Sequence, residues 1–93
     1  MVAVAMKTFL METYVPELDR AAAARTAASL SAATAELRAR GAVIELLHSF
    51  AVLGEGTCFS LFSATTLADV HRAAQHGRVR HDQLVEVVCY PRD

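Results

Sequence analysis

The sequence predicts a single α+β domain spanning residues 1–93, one antiparallel four-stranded sheet with two helices on one face. Three observations predict it. Two β-rich runs, Val43 to Leu53 and Thr57 to Ala64, are separated only by Gly54-Glu55-Gly56, and glycine supplies the positive backbone angles that a hairpin connection demands. Strand-like runs flank this hairpin at Lys7 to Val15 and at Gln83 to about Tyr90. Between each outer strand and the hairpin, the apolar residues change from a period of two to helical spacing.

Taken in order, the first strand places Phe9, Met11 and Val15 on one face and Leu10, Glu12 and Tyr14 on the other. Glu12 therefore stands between two large apolar residues, where a carboxylate must meet solvent or a partner. Pro16 ends the strand, and Asp19 is placed to cap a helix that runs to about Arg40 and is terminated by Gly41. Its apolar stripe, Ala23, Thr26, Ala27, Leu30, Ala33 and Leu37, has only two large residues and suits close approach to a sheet. In the hairpin, Thr57, Phe59, Leu61 and Ser63 alternate with Cys58, Ser60, Phe62 and Ala64, so both faces carry aromatics. A half-solvated sheet would alternate apolar with charged residues; this pattern calls for helices on one face and a second subunit on the other. Thr65 or Thr66 caps the second helix, with Asp69 at its positive end, the stripe Leu67, Val70 and Ala74, and His71 at the stripe's edge. His76-Gly77 closes it. A polar loop, Arg78 to Asp82, leads to the last strand, where Glu86 is again a carboxylate among apolar residues.

Composition narrows the function classes. Nine basic and ten acidic side chains give a net charge of -1, which offers no field toward phosphate backbones or anionic lipid, so neither nucleic acid nor membrane is an expected partner. No run approaches the ~20 apolar residues of a membrane span, and the apolar start, Met1 to Met6, is too short for a signal-peptide core. Two cysteines, Cys58 and Cys89, both within predicted strands and without Cys-x-x-Cys spacing, imply reduced thiols and a cytoplasmic location. The 54% hydrophobic content, much of it alanine, favours burial between subunits over a larger private core.

Strand, helix, strand, strand, helix, strand is the ferredoxin-like order, βαββαβ. From Phe9 to Val87 the chain resembles a bacterial family of small ferredoxin-like proteins of unknown function that includes a nickel-binding protein of actinobacteria. The matching stretches are Phe9-Leu10-Met11-Glu12-Thr13, Leu47-His48-Ser49-Phe50, Thr57-Cys58-Phe59-Ser60-Leu61-Phe62 and Leu84-Val85-Glu86-Val87. The chain departs from that family at Ser63, where an acidic residue is usual, and at Arg78-Val79-Arg80, where a proline is usual. The resemblance implies a homodimer packed through open sheet faces, a dimeric α+β barrel, with nickel as its possible metal.

Two chemistries compete. A small-ligand or divalent-metal (nickel-like) binding protein ranks first, with His48, His71 and His76 as imidazole donors and His81, Glu12 and Glu86 as further candidates. His71 and His76 lie about 140° apart around a regular helix, so no local chelate forms and a site must be assembled across strands or subunits. An enzyme of the dimeric α+β barrel type, a cyclase, isomerase or monooxygenase-like protein acting on a small hydrophobic molecule, ranks second; His48, sharing a strand face with Leu46 and Phe50, would be its acid or base, with His71 as the other choice, oriented by Glu12 or Glu86. A pure interaction module ranks third. No nucleophile motif, phosphate-binding loop or dinucleotide fingerprint is present.

Overall fold

The computed structural model describes residues 5–90; the apolar start at 1–4 and the polar tail at 91–93 lie outside the described residues. The elements are β1 (Lys7–Tyr14), α1 (Arg20–Ala39), β2 (Ile44–Val52), a 3-10 turn (Leu53–Glu55), β3 (Thr57–Ala64), α2 (Leu67–His76) and β4 (Gln83–Val87). The four strands form one antiparallel sheet in the order β2-β3-β1-β4, the ferredoxin-like α+β fold.

Local chemistry sets the boundaries. Asp19, in extended conformation, accepts a hydrogen bond from Ala22 N at 2.7 Å and caps α1, and Gly41 takes φ 97 just past its end. Gly56 takes φ 64 between the 3-10 turn and β3, as the hairpin reading requires. Thr66 caps α2: its hydroxyl accepts from Asp69 N, while the Asp69 carboxylate accepts from the hydroxyls of Thr65 and Thr66 and pairs with Arg72. The Asp69 carboxylate thus binds the capping hydroxyl and sits in the first turn, at the positive end of the helix dipole.

The pleat decides what is buried. Phe9 pairs with Phe62 across β1 and β3, which puts Phe9, Met11 and Thr13 on the helix side with Cys58, Ser60, Phe62 and Ala64, all buried. Onto them pack Leu30 and Leu37 of α1, Ile44 of β2, and Val70, Ala73 and Ala74 of α2. The core thus fills the space under the C-terminal half of α1. Its N-terminal half presents Ala23, Thr26 and Ala27, which stay half-buried. Gly77 brings the two helices together: a Cβ there would lie 2.9 Å from the Ser29 carbonyl oxygen and 3.3 Å from Ala33 Cβ.

Three features differ from the sequence reading. The last strand ends at Val87 rather than near Tyr90, because its only neighbour is β1, whose Thr8 pairs with Val87 close to where β1 begins. Cys89 is accordingly exposed beyond the sheet, not inside a strand. In β2 a bulge at Leu47 breaks the alternation: Leu46 pairs with Phe62 on the helix side, whereas His48 pairs with Leu61 on the open side, so Leu46 and His48 do not share a face.

Arg72, beside the Asp69 carboxylate, holds its pKa below the usual value, with Thr66 and Thr65 acting in the same direction against the opposing effect of burial. A group with a lowered folded pKa contributes its full stabilisation above the unfolded value and loses it as pH falls through the folded one. Asp69→Asn is therefore expected to cost about 1 kcal/mol near neutrality, the usual value of a carboxylate in the first turn of a helix, and thermal melts of the two proteins should converge as pH falls below about 4.

Candidate functional site

Three of the candidate donors lie on the sheet and divide between its two faces. Glu12 and His48 lie on the open face, and Glu86 pairs with Phe9 on the helix side, at the outer edge, 4.0 Å from the Lys7 ammonium. Glu12 sits beside Phe59, which stacks on Phe50 at a ring separation of 5.0 Å, while His48 lies in the next row, 6.1 Å from Phe50. Two strands and one pleat separate Glu12 from His48, roughly 12 Å between backbone positions. Among the described residues no hydrogen bond or ion pair joins them. His48, Glu12 and Glu86 therefore do not converge within one chain: strand pairing puts Glu86 on the wrong face and the phenylalanine stack stands between the other two.

The three imidazoles proposed as metal donors also stand apart. His76 engages Glu36 across the helix pair, and that hydrogen bond, followed by the imidazole's charge, lowers the Glu36 pKa. His71 meets His81 instead, with rings 4.8 Å apart edge to face. Two nitrogen donors are thus in reach of one another, yet among the described residues no group of three or more His, Cys, Asp or Glu side chains is placed to hold one ion. The His71–His81 pair forms because the loop after α2 folds back along the helix, an arrangement that matches no local chelate spacing.

The feature that sequence reasoning missed is a cleft. Between the N-terminal half of α1 and the β2–β3 hairpin lies a space of about 210 Å³, lined by Ala23, Ala24, Thr26 and Ala27 above and by Ser49, Ala51, Cys58 and Ser60 below. Small side chains face each other at every level, so helix and sheet cannot close the gap. The walls are mainly apolar, with two polar devices. Ser49 and Ser60 hydroxyls lie 3.1 Å apart across the strands, able to donate to or accept from a third group. The Cys58 thiol is pushed up in pKa by burial, the Thr26 hydroxyl acting the other way. Such a thiol remains protonated near neutrality and is a packing atom, not a nucleophile. The signal present in the sequence was the run of alanines along the α1 stripe, which reads equally as close packing.

The two thiols differ in access. Titration of the native protein with a thiol-specific chromogenic disulfide is expected to give one fast equivalent from exposed Cys89 and one equivalent from buried Cys58 at least tenfold slower. Cys89→Ser should remove the fast phase alone; two equal fast phases would show that the cleft does not shield Cys58.

Among the described residues no helix is long and apolar enough to cross a membrane. No family model matches the chain, and no curated protein matches it. Among solved structures, the crystal structure of SCO4226 from Streptomyces coelicolor A3(2) is similar, with a TM-score of 0.74 and 13% sequence identity over 90% of this chain and 99% of that one. At that identity the likeness to a bacterial protein shows the fold, and nearly the whole of both chains shares it.

Proposed function

We propose that this chain is a binding protein for a small, mainly apolar organic molecule carrying one polar group, and that it acts as a homodimer. The observation that carries the first part is the cleft under α1. Its 210 Å³ exceeds the roughly 150 Å³ of an apolar protein cavity that accepts benzene. Its Ser49–Ser60 pair supplies a directional contact inside an otherwise apolar wall. The second part rests on the opposite face of the sheet, where Tyr14 and Phe50 keep 60% and 48% of their surface exposed and Val52 and Leu47 join them. The described residues form two α-helices, and both are used on the other face. A second copy presenting the same face would cover it isologously.

A divalent ion such as nickel has less support, because the histidine pair offers two donors and the remaining ligands would have to come from outside the chain. Catalysis by His48 would likewise need its carboxylate from the partner of such a dimer.

Indole serves as a probe of the cleft, with its ring for the apolar walls and its N–H for the serine hydroxyls. Amide resonances of Ala23, Ala27, Ala51 and Cys58 should shift saturably with indole, and Ala27→Leu, which fills the space, should weaken binding at least tenfold, about 1.4 kcal/mol. Binding unaltered by Ala27→Leu in a folded protein would remove the cleft as the site. For the dimer, light scattering at micromolar concentration should give twice the chain mass, and Phe59→Asp should halve it by placing an unpaired charge in the interface. Phe62→Asp, in the core, should unfold the chain instead. A native monomer at that concentration would refute self-association.

A further inference from the structure

We infer that the chain carries a binding site for a small oxyanion, a phosphate or carboxylate group borne by a small molecule, at the pole of the domain where the end of β1, the N-terminal half of α1 and the loop after α2 meet. A depression of about 290 Å³ lies there, and three guanidinium-bearing residues line it: Arg25 from α1 and Arg78 and Arg80 from the loop. Tyr14, Thr26 and Ser29 contribute to the same wall. Arginine presents a planar fork of donors that matches the two oxygens of a carboxylate or phosphate, and it keeps its charge throughout the accessible pH range. In a chain of net charge -1, three such groups around one hollow are a local concentration of positive charge.

The one carboxylate paired with any of them among the described residues, Asp82, has another task. Asp82 accepts a hydrogen bond from Tyr14 N at 2.7 Å, and its own backbone N–H donates to the Glu12 carbonyl at 2.8 Å, so it pins the loop to β1. It reaches Arg80 at 3.6 Å, orienting that guanidinium while neutralising part of its charge. Arg25 and Arg78 have no carboxylate partner among the described residues.

A second, independent observation is backbone strain at Arg78. The N–H groups of Arg78 and Val79 close the end of α2 onto the carbonyls of Gln75 and Ala74, and Arg78 occupies the left-handed position of that motif at φ 55. Glycine or asparagine is the ordinary residue there. The neighbouring glycine, Gly77, is held one position earlier by the close approach of α2 to Ser29 and does not relieve it. An arginine kept in a conformation that disfavours side chains, and lining a hollow together with two further arginines, is strain of the kind found at ligand clamps.

The test is a heteronuclear NMR titration of the full chain with sodium phosphate, and separately with sodium acetate, at constant ionic strength set by sodium chloride. Saturable shifts are expected at amides around 13–15, 25–29 and 77–80, half-complete in the millimolar range or below, and the Arg25→Gln, Arg78→Gln double variant should lose at least tenfold in affinity. Saturation by phosphate assigns a phosphate ester as the occupant, saturation by acetate alone a carboxylate. Arg78→Gly supplies the linked readout: without anion its melting temperature should rise by a few degrees, since the left-handed position no longer carries a side chain, while phosphate affinity falls. Shifts linear to about 50 mM in both salts, or shifts equally large in the double variant, would show solvated arginines and overturn the site. So would Arg78→Gly binding phosphate as tightly as the native chain.

Discussion

The architecture depends on how α1 meets the sheet. The helix has twenty residues, yet its buried contacts come from Leu30, Ala33, Thr34 and Leu37, all in the second half. The two leucines press on Phe9, Met11, Ile44 and Phe62, and burial of side chains of that size is worth about 1.5–3 kcal/mol each, enough to fix where the helix lies. The first half follows rigidly, because a helix does not bend without cause, and so its alanines are held above the hairpin at a distance they are too small to fill. The cleft is a consequence of the core.

The same contact limits the loop after α2. The two helices approach until Gly77 lies against the Ser29 carbonyl, and the only residue type without a Cβ is thereby fixed at the last position before the chain turns. The left-handed step then falls on Arg78. Asp82 completes the geometry by bonding Tyr14 at the far end of the loop, so the backbone of a short polar segment is tethered at both ends. Loops so tethered carry binding groups with less entropy to lose than free ones.

How much of this is legible in the sequence varies by element, for physical reasons. Alternation through Thr57 to Ala64 is unbroken, so period two assigns every side chain of β3 to its face. Both helix caps are local chemistry, visible as Asp19 and Thr66. The β2 bulge is not visible, since Leu46-Leu47-His48 holds no glycine or proline to mark it, and one slipped residue moves His48 to the other face from Leu46. The end of β4 is set by the beginning of β1, eighty residues away along the chain in order and adjacent only after folding. For the candidate site, residue types were visible and their convergence was not. Glu86 alternates correctly in its own strand, but which face its parity selects depends on register against β1. The cleft and the arginine cluster each join elements distant in sequence, and the His71–His81 contact depends on how the loop after α2 folds back, so neither spacing nor composition encodes them.

The sheet also separates the proposed roles in space. Glu12, His48 and the Phe50–Phe59 stack lie on the open face, the face a second copy would cover. The cleft and the arginine-lined hollow lie on the helix side, one to each side of Thr26, which borders both. Thr26 donates its hydroxyl to the Ala22 carbonyl at 3.1 Å, keeping its methyl and oxygen fixed between the two spaces. Tyr14 borders the arginine-lined hollow and Phe50 and Phe59 border the cleft, so each hollow touches the open face at its rim. Coupling between a hollow and the rest of that face would have to pass through the sheet itself, whose central residues, Phe62 and Met11, are completely buried and closely packed, and closely packed interiors transmit displacement. A substitution on the open face that alters ligand affinity under α1 would locate that path in β1 and β3, the two strands that carry side chains of both faces to the centre of the molecule.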